Sequence, residues 1–175
     1  TDGSVDVARA VAAEWGRAIR VIAPSQNSNS AFRQWQRAAN EARGEWIWIA
    51  EADDAADPQL LERLAQALSR TEGAVIAFCD SRSINSDGML IADSYKPYYA
   101  TTAGSLLDHD GQHDGSDFIQ SCLSERNLIL NASGVLFRRA ALKAALARCG
   151  EALFTFRMAG DWRLYIEMLR VPGAR

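Results

Sequence analysis

Three carboxylates fall within four positions at Glu51-Ala52-Asp53-Asp54, directly after the apolar run Trp46-Ile47-Trp48-Ile49-Ala50. Carboxylates crowded in this way repel one another unless a cation lies between them. Hard oxygen donors at this spacing suit a divalent metal that also carries phosphate oxygens. The apolar run reads as a strand buried on both faces, as in a parallel sheet. The acidic residues then sit at the C-terminal end of that strand, where open α/β sheets bind ligands. A fourth carboxylate, Asp161 in Gly160-Asp161-Trp162, opens a later helical pattern.

The elements that must position these groups follow from periodicity and turn chemistry. Ser4 can cap a helix over residues 5–15, with Val7, Val11 and Trp15 on one face. Residues 19–23 read as a short strand, and 24–30 as a polar loop. A helix over 31–42 carries an apolar stripe of Phe32, Trp35, Ala39 and Ala42, with Gly44 as terminator. The strand at 46–50 follows. Asp57-Pro58 marks the next helix start, with Leu60, Leu61, Leu64 and Leu68 lining that helix. Residues 74–79 read as another buried strand. Asn85-Ser86-Asp87-Gly88 predicts a hairpin turn between 82–84 and 89–92.

Residues 93–114 show no periodicity and read as a long loop of the kind that is often functional. A helix is expected near 116–124, a strand at 133–137, and a helix at 140–148. A last helix over 161–169 should turn Trp162, Tyr165, Ile166 and Leu169 inward. Strands alternating with helices predict an α/β fold with a mainly parallel, Rossmann-like sheet flanked by helices.

A chain of 175 residues suits one domain with a substantial core. The net charge of −3, without a basic cluster, gives no reason to expect a nucleic-acid partner. Three widely spaced cysteines form neither a metal pattern nor an even disulfide set, which fits a reducing, cytoplasmic compartment. No apolar run approaches the roughly 20 residues of a membrane helix, and no signal-peptide pattern is visible. Thr1-Asp2-Gly3-Ser4 reads as a turn rather than a start, so both ends are expected to be cut from a longer protein.

Ordered blocks of this sequence resemble the inverting family 2 glycosyltransferases. They are Asp2-Gly3-Ser4-Val5-Asp6, the Asn27–Arg33 loop, Ala42-Arg43-Gly44-Glu45-Trp46-Ile47, Glu51-Ala52-Asp53-Asp54 with Asp57-Pro58, and Gly160-Asp161-Trp162. The resemblance spans nearly the whole chain. Phe32-Arg33-Gln34-Trp35 with Trp48 to Asp54 is further similar to bacterial transferases that build surface polysaccharides. The resemblance implies the nucleotide-binding GT-A fold, here without the strand and helix that open the family's domain. It also implies a nucleotide-diphosphate sugar donor, a saccharide or lipid-linked acceptor, Mn2+ or Mg2+, and a site peripheral to the inner face of a membrane.

By that resemblance Asp161 is the catalytic base, Asp53 reaches the donor ribose and Asp54 reaches the metal. Asp2 would meet a base edge, or else is an ordinary turn aspartate. Strict alternation along an extended chain would instead turn Glu51 and Asp53 to one face and Asp54 to the other. A turn after the strand removes that conflict. Glu51 stands where the family often has aspartate, and either ligates the metal or lines the site. Asp53 and Asp54 as helix caps are the bland alternative, but Asp57 already fills that role. Arg33 either contacts the base or diphosphate or lies on a solvated helix face. The bland alternative for Asp161 is a helix N-terminal carboxylate favoured by the macrodipole, and the two roles can coexist.

Glycosyl transfer needs the leaving diphosphate neutralised and the acceptor hydroxyl deprotonated. Inversion needs the base on the opposite side of the anomeric carbon from the diphosphate, so base and metal ligands must be separate groups. His109 and His113 could share a helix face for a metal, but Gly111 and Gly115 favour a surface loop, with a covering role for donor or acceptor as the alternative. Trp162 is expected in the core, or else beside the acceptor sugar. Two other functions compete. One is a phosphorylatable receiver module using Asp53/Asp54, Asp80 and Lys96. The other is a non-catalytic nucleotide-sugar-binding domain.

Overall fold

A computed structural model describes residues 3–175. Asp2 lies outside the described residues. The centre is a three-stranded sheet of β1 (Trp46–Trp48), β5 (Val135–Arg138) and β2 (Ile76–Phe78), in the order β1-β5-β2. β5 is antiparallel to both neighbours, pairing Ile47 with Phe137 and Ala77 with Leu136. A mainly parallel sheet is therefore not what forms. β1 and β2 share a direction, but the strand between them runs the other way.

Both faces of the sheet are covered, which is why the strand sequences look apolar throughout. One face carries Ile47, Ile76, Val135 and Phe137 into the main core. There they meet α2 (Ala31–Glu41), α6 (Arg139–Cys149) and α7 (Gly160–Leu169), which supply Phe32, Trp35, Leu142, Leu164 and Met168. The other face carries Trp46, Trp48 and Leu136 against Leu64 and Leu68 of α3 (Leu60–Ser69). The central position of β5 accounts for its deeper burial. Trp46 and Trp48, on an outer strand, are only half-buried.

Four expectations are corrected. No strand forms at 19–23, where Ile19 and Ile22 are exposed. An extended segment without a neighbour has no ladder to satisfy its backbone groups. The first helix, α1 (Ser4–Glu14), is capped by Gly3 rather than Ser4, and its supposed inward face is outward: Val7, Val11 and Trp15 are 63%, 48% and 72% exposed. Leu61 also faces solvent. Within 93–114, residues Lys96–Ala103 form α4, started by Pro97 and anchored by the buried ring of Tyr99.

The hairpin forms as its turn residues dictate, with β3 (Ser83–Ile84) antiparallel to β4 (Leu90–Ala92). Asn85 Oδ1 accepts from the backbone N–H of Asp87 and Met89, and Gly88 takes φ +78°. The helix expected near 116–124 is a short α5 (Gly115–Phe118) continued by a π-turn over Ile119–Leu123.

Candidate active site

The chain leaves β1, turns at Ala52-Asp53, and brings three carboxylates together. Their ligand oxygens in Glu51, Asp53 and Asp54 lie within 4.8 Å of one another. The turn breaks the alternation of the strand, so Asp54 joins Glu51 and Asp53 instead of facing away. The cluster is tied down from a distant segment. The backbone N–H of Glu51 donates to Ser133 Oγ at 2.9 Å, and the Trp48 indole N–H donates to the Ser133 carbonyl at 2.7 Å. Ser133 is itself held by Asn131, whose Oδ1 accepts its N–H at 2.8 Å.

Among the described residues, no ion pair engages Glu51, Asp53 or Asp54. Burial first, and then the charges of Asp54, Asp53 and Asp161, push the Glu51 carboxyl above its ordinary range. Three converging oxygen donors with no ion-pair partner among the described residues fit a hard divalent ion such as Mn2+ or Mg2+.

Glu51 also lines a cleft of about 420 Å³, and so does Asp161. Asp161 occupies the first turn of α7. Its Oδ2 accepts from Asn127 Nδ2 at 3.0 Å. Asn127 Oδ1 accepts from the Ile129 N–H, which orients the amide and aims its NH2 at Asp161. Bonds from backbone N–H groups and from Asn127 lower the Asp161 pKa, but burial outweighs them and raises it. A carboxyl held high in this way is a better proton acceptor than an exposed aspartate.

The approach to Asp161 is sterically fixed. A Cβ on Gly160 would run into the ring of Phe32, and Ala159 adopts φ +59° just before it. Glycine is required at 160 because α7 starts directly against α2.

Other predicted residues are placed differently. Arg33 pairs with Glu151 at 2.6 Å and lies over the Phe154 ring at 4.4 Å, outside the cleft lining. Trp162 donates its indole N–H to the Leu123 carbonyl at 2.9 Å and packs against the core. His109 and His113 line a separate cavity of about 380 Å³, together with Asp80 and Lys96.

The cleft wall also contains Arg157, which sequence reasoning did not single out, and two residues of the Asn27–Arg33 loop, Asn29 and Ser30. Arg157 is the one cationic side chain among its lining residues. Asn29 holds φ +52° with its N–H on Asn27 Oδ1, and the buried Ser30 hydroxyl has no partner among the described residues. The asparagines and serines of the 24–30 loop were the sequence signal for that part of the wall, and nothing in the spacing marks Arg157.

A comparison with known families matches a glycosyltransferase-like family 2 model over residues 1–174. The chain belongs to the glycosyltransferase-like family 2. Membership implies transfer of a sugar from a nucleotide-sugar donor to an acceptor, and it displaces the receiver-module reading. No curated protein and no solved structure matches the chain. Among the described residues, no helix is long and apolar enough to cross a membrane.

The two raised carboxyls set a pH dependence. A folded-state pKa above the unfolded value gives stability that is present at low pH and lost as pH rises through the folded value. Without metal, Glu51→Gln therefore raises the melting temperature at pH 7 and changes it little near pH 4. Paired thermal scans at the two pH values check this. An effect equal at both would show that Glu51 is not the group being relieved.

Proposed function

We propose that residues 1–175 form one glycosyltransferase domain that moves a sugar, with inversion, from a nucleotide-diphosphate sugar to a saccharide or lipid-linked acceptor. One observation carries the reading. Glu51 belongs both to the carboxylate cluster and to the cleft that holds Asp161. One carboxylate of the acidic cluster, Glu51, thus lines the same cleft as Asp161 from a different element, the turn after β1 against the start of α7, while Asp53 and Asp54 lie outside the cleft lining.

In this reading Glu51 and Asp54 hold Mn2+ or Mg2+, and Asp53 accepts from the donor ribose. The bound ion supplies charge neutralisation to the diphosphate as the sugar–oxygen bond breaks. Asp161 takes the proton of the acceptor hydroxyl, while Asn127 keeps the carboxylate oriented. Asp2 contacts the nucleobase. Arg33 keeps a donor-binding assignment from the family resemblance, and its ion pair with Glu151 would have to open for that contact. The three free cysteines fit a cytoplasmic location, at the inner membrane face where lipid-linked acceptors are met.

A panel of nucleoside diphosphates, scanned by thermal shift with and without Mn2+, tests the reading. Stabilisation is expected when nucleotide and metal are both present, with reversal by a chelator. A panel in which metal never enhances any nucleotide's shift would remove the basis of the proposal.

A further inference from the structure

β2 is an edge strand: among the described residues its one sheet neighbour is β5. The Arg138 backbone N–H donates to the Val75 carbonyl at 2.8 Å, and the Cys79 N–H donates to the Gly134 carbonyl at 3.1 Å. Backbone groups in an antiparallel pair alternate sides along the strand. The Val75 carbonyl, Ala77 and the Cys79 N–H therefore turn toward β5, and the N–H and C=O of Ile76 and Phe78 turn to the open edge. There they have no backbone partner among the described residues. Ile76 is buried, and buried backbone groups without partners are rare in native folds.

This edge runs along the cavity of about 380 Å³. Leu64 and Leu68 of α3 line the cavity, and so do Tyr99 of α4 and Phe118 of α5. The two pairs belong to the cores on opposite faces of the sheet. The cavity thus has the lining of one more strand position, covered on both faces as β5 is.

The protein already starts such a strand. The Arg175 N–H donates to the Gly73 carbonyl at 3.3 Å, and the Arg175 carbonyl accepts from the Val75 N–H at 2.7 Å. One residue bonded to positions on either side of its neighbour is the parallel pattern. Two glycines clear the approach. A Cβ on Gly73 would lie 2.8 Å from the Gly173 carbonyl oxygen, and one on Gly115 would overlap the Leu169 carbonyl oxygen. Gly115 also donates its N–H to the Ala174 carbonyl at 2.8 Å. Residues 173–175 are thereby pinned and aimed along β2 toward Ile76 and Phe78.

We propose that the open edge of β2 is the seat of a further strand, parallel to β2 and continuous in cis with Arg175. Its side chains are apolar on both faces, and its main chain takes the free groups of Ile76 and Phe78, as in strand addition to a sheet edge. With that strand in place, the cavity lined by His109 and His113 becomes packed interior. The seat does not depend on the transferase reading.

A short extension of valine and isoleucine appended after Arg175 tests this. The control is an equal extension in which every second residue is proline, which cannot donate. With the apolar extension, hydrogen exchange at the Ile76 and Phe78 amides should slow by about tenfold or more. The melting temperature should rise by about 4–8 °C, and both effects should be independent of protein concentration. Equal effects from the proline extension, or none from either, overturn the proposal. So does slowing that the same residues reproduce as a free equimolar peptide, which would assign the edge to a separate chain. Slowing that grows with concentration in the unextended chain would assign it to a second copy, and overturns the cis strand as well.

Discussion

Asp161→Asn leaves the folded protein and its metal-dependent nucleotide binding intact and removes sugar transfer. The expected loss in kcat is about 10²–10⁴-fold, the usual contribution of a positioned general base. The substitution is nearly isosteric and keeps an oxygen for the Asn127 N–H, so the support of the site survives while the proton acceptor disappears. Burial raises the Asp161 carboxyl in the wild type. Its rate should therefore climb as pH passes upward through a value above the ordinary aspartate range, because only the ionised form accepts a proton. Steady-state kinetics beside a nucleotide–Mn2+ thermal shift separates the two effects. Turnover in the variant at the wild-type rate would mean that another group takes the proton.

Asp54→Ala acts on binding instead. A ligand at about 100 times its Kd stabilises a fold by about 2.7 kcal/mol. For a chain of this length that is a shift of roughly 5–11 °C. Removing one of three converging carboxylates should abolish most of the Mn2+-dependent part of that shift and leave the metal-free melting temperature nearly unchanged, since Asp54 is exposed. Asp57→Ala serves as the control. That residue accepts the Gln59 N–H at 2.8 Å and caps the turn before α3. It should lower stability without changing the response to metal. Equal metal responses in Asp54→Ala and wild type would place the cation elsewhere.

Some of the fold was legible because the local chemistry admits few solutions. Asn85-Ser86-Asp87-Gly88 has an asparagine that accepts two backbone N–H groups and a glycine that takes positive φ, so a hairpin follows. The amphipathic stripe of α2 likewise leaves Phe32, Trp35 and Ala39 buried. Strand direction was not legible. Ile47 and Trp48 are covered on opposite faces whether the neighbouring strand runs with them or against them, so apolar continuity cannot reveal the reversed β5. The outward face of α1 was misread for a related reason. Val7, Val11 and Trp15 have helical spacing, but spacing does not say whether another element packs on the stripe.

The acidic cluster could be read because its residues are adjacent in sequence. Its supports could not. Ser133 reaches Glu51 across 82 positions and Asn127 reaches Asp161 across 34. Neither contact leaves a periodic trace. Gly160 was noticed beside Asp161, but the ring of Phe32 that forbids a side chain there comes from a helix more than a hundred residues earlier.

The tether from Glu51 to Ser133 has a consequence for biosynthesis. The ribosome delivers the acidic turn long before the serine that holds it in place. A nascent chain ending ahead of β5 has the three carboxylates but neither the Ser133 hydroxyl nor the central strand beside them. Under the transferase reading proposed above, a cation site at this turn is complete only once β5 and the Ser133 hydroxyl have been made.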